Sequence, residues 1–406
     1  MKVEVLLRHH QTPQIERIDV YERIGGYQAL AKAVRIGPGR IIDLVEEAGL
    51  RGRGGAGFAT AVKWRAVAAQ THKPHYFVCN IAEGEPGSFK DKELVNNPHQ
   101  VLESTAISAY ATGSEKAFIY LRGAFTQQEQ MLKQALLQAR ARKLFGPGSL
   151  LPVDIIIHRG EDSYIAGEET AMLESLEGKP AIPRMKPPRP HEFGLWECPT
   201  VTNNVETICN VPTLLLQGPS TFRKYGTDRS PGTKLFCLSG QIRRPGLYEA
   251  PFGIRLSELL NGFGQGSLPG RRLLAVFPGG PSTAIVPVEL DPCMDFEGLL
   301  EAGSQLGTGG VIVLDDSSNL AQVAAEVSSF FARESCGACP PCSIGTSETH
   351  QLFQQIKESE RHHQEAILKI REICEMMKYR GQCAHSRSAA FTLLSLLNRF
   401  PEVFRP

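Results

Sequence analysis

Between residues 76 and 170 the chain alternates short apolar runs with longer amphipathic stretches. Tyr76–Asn80, Ala117–Arg122 and Val153–His158 are apolar runs of strand length, whereas Pro98–Thr112 and Thr126–Lys143 carry apolar residues at helical spacing. Strands that alternate with helices predict an α/β layer with a largely parallel sheet. The polar and glycine-rich segments follow the strand ends, which is where open α/β sheets bind their ligands.

The pattern changes twice further along the chain. Short apolar runs predict strands at Lys234–Ser239, Gly246–Glu249, Leu273–Phe277 and Ala284–Val288, with a short helix at Leu256–Leu260, which indicates a small α+β module of the β-grasp kind. Helical spacing then predicts a four-helix bundle from Leu320–Arg333, Ser347–Lys357, Gln364–Tyr379 and Ser388–Arg399. The predicted domains are therefore residues 1–225, 226–318 and 319–406.

Composition narrows the class of protein. Hydrophobic residues make up 42% and charged residues 21% of the chain, and the formal net charge of +1 gives no reason to expect nucleic acid or an anionic membrane as a partner. No apolar run reaches the roughly 18–20 residues that a membrane span needs. Met1–His10 predicts a short strand rather than a signal peptide, because its apolar run is short and interrupted by charge.

The ten cysteines are too sparse for a secreted disulfide scaffold, so a reducing cytoplasm fits best. Cys336, Cys339 and Cys342 stand at two successive C-x₂-C intervals, the spacing with which one loop offers three thiolates to one iron–sulfur cluster. A fourth ligand must come from further along the chain. Plain core positions are predicted for Cys79, Cys209, Cys237 and Cys293.

Two cysteines compete to be the fourth ligand. Cys374 shares a helical stripe with Ile370 and Met377, which indicates a core position, whereas Cys383 lies in an interhelical segment that can bend toward a cluster. Cys383 is the better choice. A zinc site of three cysteines completed by His350 or His385 is the alternative.

Three further segments have polar or glycine residues suited to a ligand. The loop Gly52–Phe58 has four glycines in six residues, so its backbone can approach a flat or phosphorylated ligand, unless it is only a flexible surface loop. Glu83 and Glu85 lie on a turn after a strand and suit ligand hydroxyls, unless that turn is merely solvated. Asn203 and Asn204 either bind a heterocycle or ribityl chain or cap the next helix.

Five motifs together resemble one family. They are G-R-G-G-A-G-F at 52–58, E-G-E-P-G-S-F-K-D at 83–91, G-E-E-T-A at 167–171, P-T-V-T-N-N-V-E-T at 199–207 and E-S-C-G-A-C-P-P-C at 334–342. The chain resembles the flavin-bearing, NADH-oxidising subunit of respiratory complex I and the diaphorase subunits of NAD-linked hydrogenases and formate dehydrogenases. The resemblance implies a Rossmann-like FMN domain, a β-grasp module and a helical bundle that holds a [4Fe–4S] cluster.

The resemblance also implies a role for particular positions. The FMN-binding residues would be Gly52, Arg53, Gly54, Lys63, Asn80, Glu83, Tyr164, Gly167, Glu168, Asn203, Asn204 and Thr207. The nicotinamide dinucleotide would face Gly55, Ala56, Phe58, Glu85, Glu169, Lys186 and Arg189. The cluster ligands would be Cys336, Cys339, Cys342 and Cys383. No side chain need act as acid or base, because hydride passes directly between nicotinamide and flavin and single electrons continue to the cluster.

The chain departs from the family pattern at several positions. Ala66 and Arg189 replace two aromatic residues of the adenine slot, Ile81-Ala82 replaces an Ala-Asp pair, and Ala166 replaces a frequent cysteine. One hypothesis is that Arg189 binds the 2′-phosphate of NADP(H), since arginine grips phosphate with two hydrogen bonds. The alternative is that Arg189 faces solvent and NAD(H) is the substrate.

The resemblance therefore predicts an electron-input subunit of a multi-subunit redox complex, which exchanges hydride between NAD(P)H and FMN. The alternative of another class is an FMN and [4Fe–4S] relay or assembly subunit that no longer binds nicotinamide. Loss of adenine-slot walls favours the relay, whereas retention of Phe58, Glu85, Glu169 and Lys186 opposes it. The implied partners are a thioredoxin-like [2Fe–2S] subunit and further electron-transfer or catalytic subunits, with the chain cytoplasmic and reaching a membrane only through those subunits.

Overall fold

The computed structural model describes residues 3–358 and 363–404 of the chain. The chain separates into two compact units. The first unit comprises residues 1–84, 89–236 and 249–254, and the second comprises residues 85–88, 237–248 and 255–406. The segment 85–88 thus belongs to the second unit although it lies within the sequence of the first.

The first unit is an α/β layer around a four-stranded parallel sheet, as the alternating pattern predicts. Its strands are β1 (Tyr76–Ile81), β2 (Lys116–Leu121), β3 (Asp154–Arg159) and β4 (Thr200–Asn204). Its helices are α1 (Ile18–Arg23), α2 (Gln28–Ile36), α3 (Pro38–Glu47), α4 (Thr60–Ala68), α5 (Lys90–Leu94), α6 (Pro98–Ala111), α7 (Thr126–Ala141), α8 (Glu169–Leu176), α9 (Val205–Ile208), α10 (Asn210–Gln217) and α11 (Pro219–Phe222).

The strand order of this sheet, β3-β2-β1-β4, fixes where a ligand can bind. The chain moves outward from β1 through β2 to β3 and then returns to the other side of β1 with β4. The direction therefore reverses between β1 and β4, and the crevice at the carboxyl ends of the strands on either side of such a reversal is the usual ligand site of an open α/β sheet.

Strand β4 was not predicted from the sequence. Its residues, T-V-T-N-N, are mostly polar and follow a proline-rich stretch, so the pattern indicates only a ligand contact or a helix cap at the asparagines. This segment is a strand because it pairs with β1. It lies parallel to β1, with Asn80 beside Asn204 and Cys79 beside Asn203.

The N-terminal segment corrects another prediction. Residues 3–10 form bends and turns rather than a strand, and residues 1–2 of the predicted strand lie outside the described residues. The backbone amides of Val5, Leu6 and Leu7 donate to the Glu249 carboxylate at 2.9–3.1 Å. One buried carboxylate thus satisfies the donors that a neighbouring strand would otherwise pair.

Most of a five-stranded mixed sheet belongs to the second unit and is followed by helices, although residues 233–236 and 249–251 of its first two strands are counted with the first unit. The sheet has the order β6-β5-β9-β7-β8, with β5 (Thr233–Gly240), β6 (Gly246–Pro251), β7 (Leu273–Phe277), β8 (Val286–Pro287) and β9 (Gly310–Asp315). Strand β9 was missed in the sequence analysis, although the run Val311–Leu314 is typical of a buried strand. The predicted strand Ala284–Val288 is wrong in length, since only Val286–Pro287 pairs and proline offers no donor to a ladder.

The helices of the second unit run to the end of the described chain. They are α12 (Leu256–Glu258), α13 (Phe296–Glu301), α14 (Leu320–Arg333), α15 (Pro340–Glu358), α16 (His363–Arg380), α17 (Ala384–Arg399) and α18 (Pro401–Phe404). Helix α14 packs on α15 and α17, and α16 packs on α15 and α17. Helix α15 begins seven residues before its predicted start, because Pro340 and Pro341 are tolerated in a first helical turn.

None of the helices within residues 3–358 and 363–404 is long and apolar enough to cross a membrane.

Candidate functional site

Polar residues gather at the carboxyl ends of β1 and β4, where the strand order reverses. Asn80 is paired in register with Asn204 at these ends. The Asn80 amide donates to the Gly167 carbonyl at 3.0 Å, and its oxygen accepts from the backbone amide of Ala82 at 2.9 Å. Asn80 therefore joins the end of β1 to the short 3₁₀ turn at Ile165–Gly167. We call the ends of β1 and β4, together with the loop Gly52–Phe58, the switch-point edge.

The glycine loop is closed on itself and tied to the segment after β4. The Gly52 amide donates to the Phe58 carbonyl at 2.8 Å, and the Arg53 amide donates to the Thr207 hydroxyl at 2.8 Å. A Cβ added at Gly54 would lie 2.9 Å from the Asn204 Cβ, so glycine is required for this approach. The loop is thus held in place rather than loose, and the alternative of a flexible surface loop is not supported.

Arg53 shows that a predicted ligand residue can be buried in the protein. Its guanidinium donates to the carbonyls of Arg51 and Pro231 and lies 4.6 Å from the centre of the Phe252 ring. Burial lowers the pKa of Arg53 to about 10, and the Glu206 charge opposes that shift. At 1% exposure, Arg53 is therefore a buried part of the loop rather than an exposed ligand contact.

Asn204 and Asn203 have internal partners, which supports the cap alternative for the first of them. The Asn204 oxygen accepts from the Glu206 amide at 3.1 Å and so caps α9, while its amide donates to Asp91 at 2.6 Å. The Asn203 oxygen accepts from the Trp64 indole at 2.8 Å. These contacts fix both amide side chains at the end of β4.

Glu83 and Tyr164 also lie beside the switch-point edge. The Glu83 carboxylate accepts from the backbone amides of Asp91 at 3.0 Å and Lys92 at 3.3 Å, so it caps the start of α5. Tyr164 precedes the 3₁₀ turn, and a Cβ added at Gly84 would lie 3.0 Å from the Tyr164 Cα. Glu83 is an internal cap rather than a merely solvated carboxylate.

Four charged side chains form an ion cluster at the start of α8. Glu169 pairs with Lys63 at 2.9 Å and with Lys186 at 2.8 Å, and Lys186 also pairs with Glu168 at 2.8 Å. Burial alone would raise the pKa of Glu169, but the Lys63 and Lys186 charges lower it to about 2. Burial would lower the pKa of Lys186, but Glu169 and Glu168 raise it. Glu169 and Lys186 are therefore both charged near neutral pH.

The predicted dinucleotide-facing residues are not all in one place. Phe58 is 47% exposed with the Lys63 ammonium 5.9 Å from its ring centre, and Gly55, Ala56 and Arg189 also reach the surface of the first unit. Glu85 belongs to the second unit, where its carboxylate is buried and accepts from the Ser282 amide at 2.8 Å. The structure thus groups Phe58, Glu169 and Lys186 but places Glu85 among second-unit contacts.

Cys342 reports the surroundings of the predicted cluster ligands. The pKa of the Cys342 thiol is raised to about 11, chiefly by burial; a hydrogen bond with Ser335 opposes the rise, and the charges of Cys339, Cys383 and Cys336 contribute to it. Those three thiols therefore lie near Cys342. Contrary to the prediction that the triad lies between two helices, Cys342 is in the first turn of α15.

The rival ligands are engaged elsewhere. Cys374 is fully buried on α16, as predicted, and burial raises its pKa to about 12. His350 bonds the Ser328 hydroxyl at 3.2 Å, and His385 bonds the Phe331 carbonyl at 2.9 Å. In the described part of the chain, no three Cys, His, Asp or Glu side chains are placed to share a single metal ion.

The sequence analysis missed a buried group of charges beside Asn204. Lys90 pairs with Asp91 at 2.5 Å and with Glu206 at 3.2 Å, and Lys234 pairs with Glu206. We call Asp91, Lys90, Glu206 and Lys234 the buried charge chain. The signal was present in the sequence, because F-K-D and N-V-E-T belong to motifs that were singled out, but only their polar neighbours received roles.

The switch-point edge fits a flavin mononucleotide. A loop whose Gly54 has no room for a Cβ, exposed loop backbone at Gly54 and Ala56, and amide side chains at two strand ends suit a flat, phosphorylated ligand. The fold and this edge define the chain as a nucleotide-cofactor-binding α/β protein.

Comparison with known proteins narrows this class to one family. The model of the Nuo51 FMN-binding domain matches residues 45–213, and that of the NADH-ubiquinone oxidoreductase-F iron-sulfur binding region matches residues 322–406. The chain is 45% identical to the second NADH-quinone oxidoreductase F subunit of Rhizobium meliloti (strain 1021), over 98% of this chain and 96% of that protein. It is 42% identical to the NADH-quinone oxidoreductase F subunit of Streptomyces coelicolor, over 95% of this chain and 87% of that protein.

A solved structure agrees with these matches. The NAD⁺-reducing [NiFe]-hydrogenase in its H₂-reduced state contains a chain that superimposes with a TM-score of 0.86 at 32% identity. The match covers 99% of this chain and 66% of the hydrogenase chain. The protein belongs to the family of NADH-quinone oxidoreductase F subunits, and it carries that family's FMN-binding and iron–sulfur-binding regions.

Proposed function

We propose that this chain is the electron-input subunit of a redox complex, taking electrons from NADH at the switch-point edge and delivering them singly to a partner subunit. The observation that carries the proposal is the meeting of the glycine loop with the ends of β1 and β4, through the Arg53–Thr207 hydrogen bond and the Gly54–Asn204 contact. Bound FMN would supply the hydride and one-electron chemistry. The protein's residues would hold the ligands in position and place charge beside them.

The chain's own residues would divide the binding work. The loop Gly52–Phe58 would lay its backbone against the cofactor, and Asn80, Asn203 and Asn204 would hold the strand ends beside it. Lys63 and Lys186 would bring positive charge toward anionic groups of the ligands, with Glu169 holding both ammonium groups in place. Holding two reactants in register can itself supply a large part of a rate enhancement, so no side chain is assigned a proton transfer.

We assign the fold three modules: a Rossmann-like FMN domain at residues 1–225, a β-grasp module at 226–318 and a four-helix bundle at 319–406. The reversal of strand order beside β1 supports the first module. The mixed sheet supports the second module, and the pairwise packing of α14 to α17 supports the third.

The cluster would be held by Cys336, Cys339, Cys342 and Cys383. The electrostatic influence of the other three thiols on Cys342 supports this set, as does the iron–sulfur region matched at residues 322–406. Iron and acid-labile sulfide assays on anaerobically purified protein would test it. Stoichiometric zinc with no sulfide would contradict it.

Anaerobic mixing tests the central proposal. FMN-loaded protein is mixed with NADH or with NADPH, and flavin absorbance is followed. Bleaching by NADH is expected. If neither nucleotide bleaches the flavin, the chain is instead a relay that no longer binds nicotinamide, a role that Ala66 and Arg189 in the adenine slot would favour.

Arg189 decides whether NADPH is also a substrate. Its guanidinium is exposed and forms no ion pair within the described residues, so it is available to a 2′-phosphate. If Arg189 binds that phosphate, Arg189→Ala will lower kcat/KM for NADPH about tenfold and leave the value for NADH nearly unchanged. A preference between the nucleotides that does not change in this variant would assign Arg189 to solvent.

The partner we propose is a thioredoxin-like [2Fe–2S] subunit within a larger assembly, with the chain in the cytoplasm and membrane association only through other subunits. The support is the family match and the 66% coverage of a longer chain of the NAD⁺-reducing [NiFe]-hydrogenase. Affinity purification of the tagged chain from its native cells tests this, and recovery without any iron–sulfur partner would contradict it.

A further inference from the structure

The buried charge chain lies beside Asn204 and has no part in the function proposed above. Lys90 is 1% exposed and Lys234 is fully buried, as is Glu206. Burial would lower the pKa of Lys90, but Asp91, Glu206 and Glu83 raise it well above its usual range. Burial would raise the pKa of Glu206, but Lys234 and Lys90 lower it. Lys90 and Glu206 therefore stay charged inside the protein.

Such a group of charges needs a reason other than stability. Desolvation of buried ions offsets most of their mutual attraction, so an apolar replacement of similar size is often as stable. A buried ion pair does, however, fix the geometry of whatever it contacts. Their effect on the protein therefore depends on which neighbouring side chain these charges hold in place.

Lys90 is the member that reaches the switch-point edge. Its ammonium donates to the Asn204 side-chain oxygen at 3.2 Å while pairing with Asp91 and Glu206. Asp91 in turn accepts from the Asn204 amide at 2.6 Å. Lys90 and Asp91 together therefore hold both ends of the Asn204 side chain.

Because Asn204 is held in this way, it in turn fixes the position of the glycine loop. Its Cβ fits against Gly54 so closely that an added Cβ there would lie 2.9 Å away. Its oxygen caps α9, the helix whose Thr207 accepts from the Arg53 amide. Both attachments of the loop to the sheet thus depend on the segment that Asn204 begins.

We propose that Lys90 is a positioning residue for FMN: it holds Asn204, and through Asn204 the glycine loop, in the arrangement that binds the cofactor. The inference rests on the proposed FMN site. It adds a residue that touches neither ligand and that no motif reading selected.

Lys234 provides a matched control. It is as buried as Lys90 and pairs with the same Glu206 carboxylate, and it also donates to the Leu235 carbonyl, whereas Lys90 donates to Asn204. Lys90→Met and Lys234→Met each remove one buried ammonium and keep a chain of similar length. Both are expected to lower the melting temperature, because Lys90→Met takes one partner from Asp91 and one from Glu206, and Lys234→Met takes one from Glu206.

FMN affinity separates the two variants. Full-length protein is freed of flavin, and the dissociation constant is measured by quenching of FMN fluorescence on titration. Lys90→Met is expected to raise the FMN dissociation constant about tenfold or more relative to Lys234→Met. Equal weakening by the two variants, in proportion to their loss of stability, would overturn the inference.

If Lys90→Met does not fold, the same measurements are made on the double variant Lys90→Met/Asp91→Asn. It removes one charge of each sign and still offers an amide oxygen to Asn204. We expect its melting temperature to recover and its FMN dissociation constant to stay raised. An affinity equal to that of the wild type would overturn the inference, whereas a wild-type chain that binds no FMN would overturn the proposed function itself.

Discussion

At the switch-point edge, charged and amide side chains hold one another, whereas the hydrogen bonds within the cysteine segment at residues 335–346 involve mostly hydroxyl and backbone groups. Asn80 and Asn204 at this edge, and Glu169 in the ion cluster at the start of α8, are each held by two or more hydrogen bonds or ion pairs to other side chains or backbone. In the cysteine segment, Cys336 and Cys339 are half-exposed, and the Cys342 thiol has a contact of 3.5 Å with the Ser335 hydroxyl.

The difference follows from the ligands. A cofactor held by hydrogen bonds binds most tightly to a site that is already arranged, because ordering the site would subtract from the affinity. A cluster held by thiolate bonds can order its own ligands, since metal binding and local folding are coupled. We therefore expect the first site to keep its shape without FMN and the second to depend on its cluster.

The largest expected effect is at the cluster. Replacing Cys383 with serine should abolish the cluster, because a [4Fe–4S] cluster takes four cysteine ligands. Iron and acid-labile sulfide should fall close to zero, and heat capacity scans should show that the helical part melts earlier, while FMN still binds.

Cys374→Ala is the matched control for that experiment. It removes a thiol buried on the neighbouring helix α16, and we expect a loss of about 1 kcal/mol in the free energy of unfolding with normal iron content. Loss of the cluster in this variant but not in Cys383→Ser would show that Cys374, rather than Cys383, is the fourth ligand.

The next largest effect is expected on FMN affinity. It tests whether the switch-point edge has its FMN-binding arrangement before FMN binds. Gly54→Ala should force the loop away from Asn204 and raise the FMN dissociation constant about 10- to 100-fold, the cost of overpacking a tight contact. Gly52→Ala makes the same change in the same loop, where the nearest atom to an added Cβ is 3.5 Å away, so its effect should be smaller. Equal effects would mean that the loop adapts to its ligand.

The smallest effect concerns the ion cluster and pH. The pKa of Glu169 falls from an ordinary 4.5 to about 2 in the folded chain, so its stabilisation is present above pH 4.5 and is lost as pH falls toward 2. The shift corresponds to about 3 kcal/mol, which solvent screening of this partly exposed carboxylate reduces to about 1–2 kcal/mol.

Glu169→Gln measures this contribution. The free energy of unfolding of the wild type should fall more steeply than that of the variant between pH 4.5 and pH 3. Lys133, whose ion pair with Glu129 is exposed, provides the control, because Lys133→Met should leave the wild-type pH dependence unchanged. Parallel curves for wild type and Glu169→Gln would show that this cluster contributes nothing to the prearranged edge.

Much of the secondary structure was predictable from local pattern. Strands β1, β2 and β3 and helices α6, α7 and α14 lie within a few residues of their predicted bounds, because apolar spacing alone decides such elements. Strand β4 was not predictable in this way, since T-V-T-N-N becomes a strand only by pairing with β1. The N-terminal segment failed for the complementary reason, because distant Glu249 takes the donors of Val5 and Leu6.

The candidate functional residues show the same division between what local sequence predicts and what distant contacts decide. Motif spacing by itself determined which residue types are offered: three cysteines at C-x₂-C intervals, a loop of four glycines and paired asparagines. Only the tertiary structure decided their use, turning Arg53 inward, assigning Asn204 to a helix cap and placing Lys90 beneath it. The physical reason is that spacing along a chain limits which chemistry is available, whereas burial and hydrogen-bond partners, which decide the state of each group, come from residues distant in sequence.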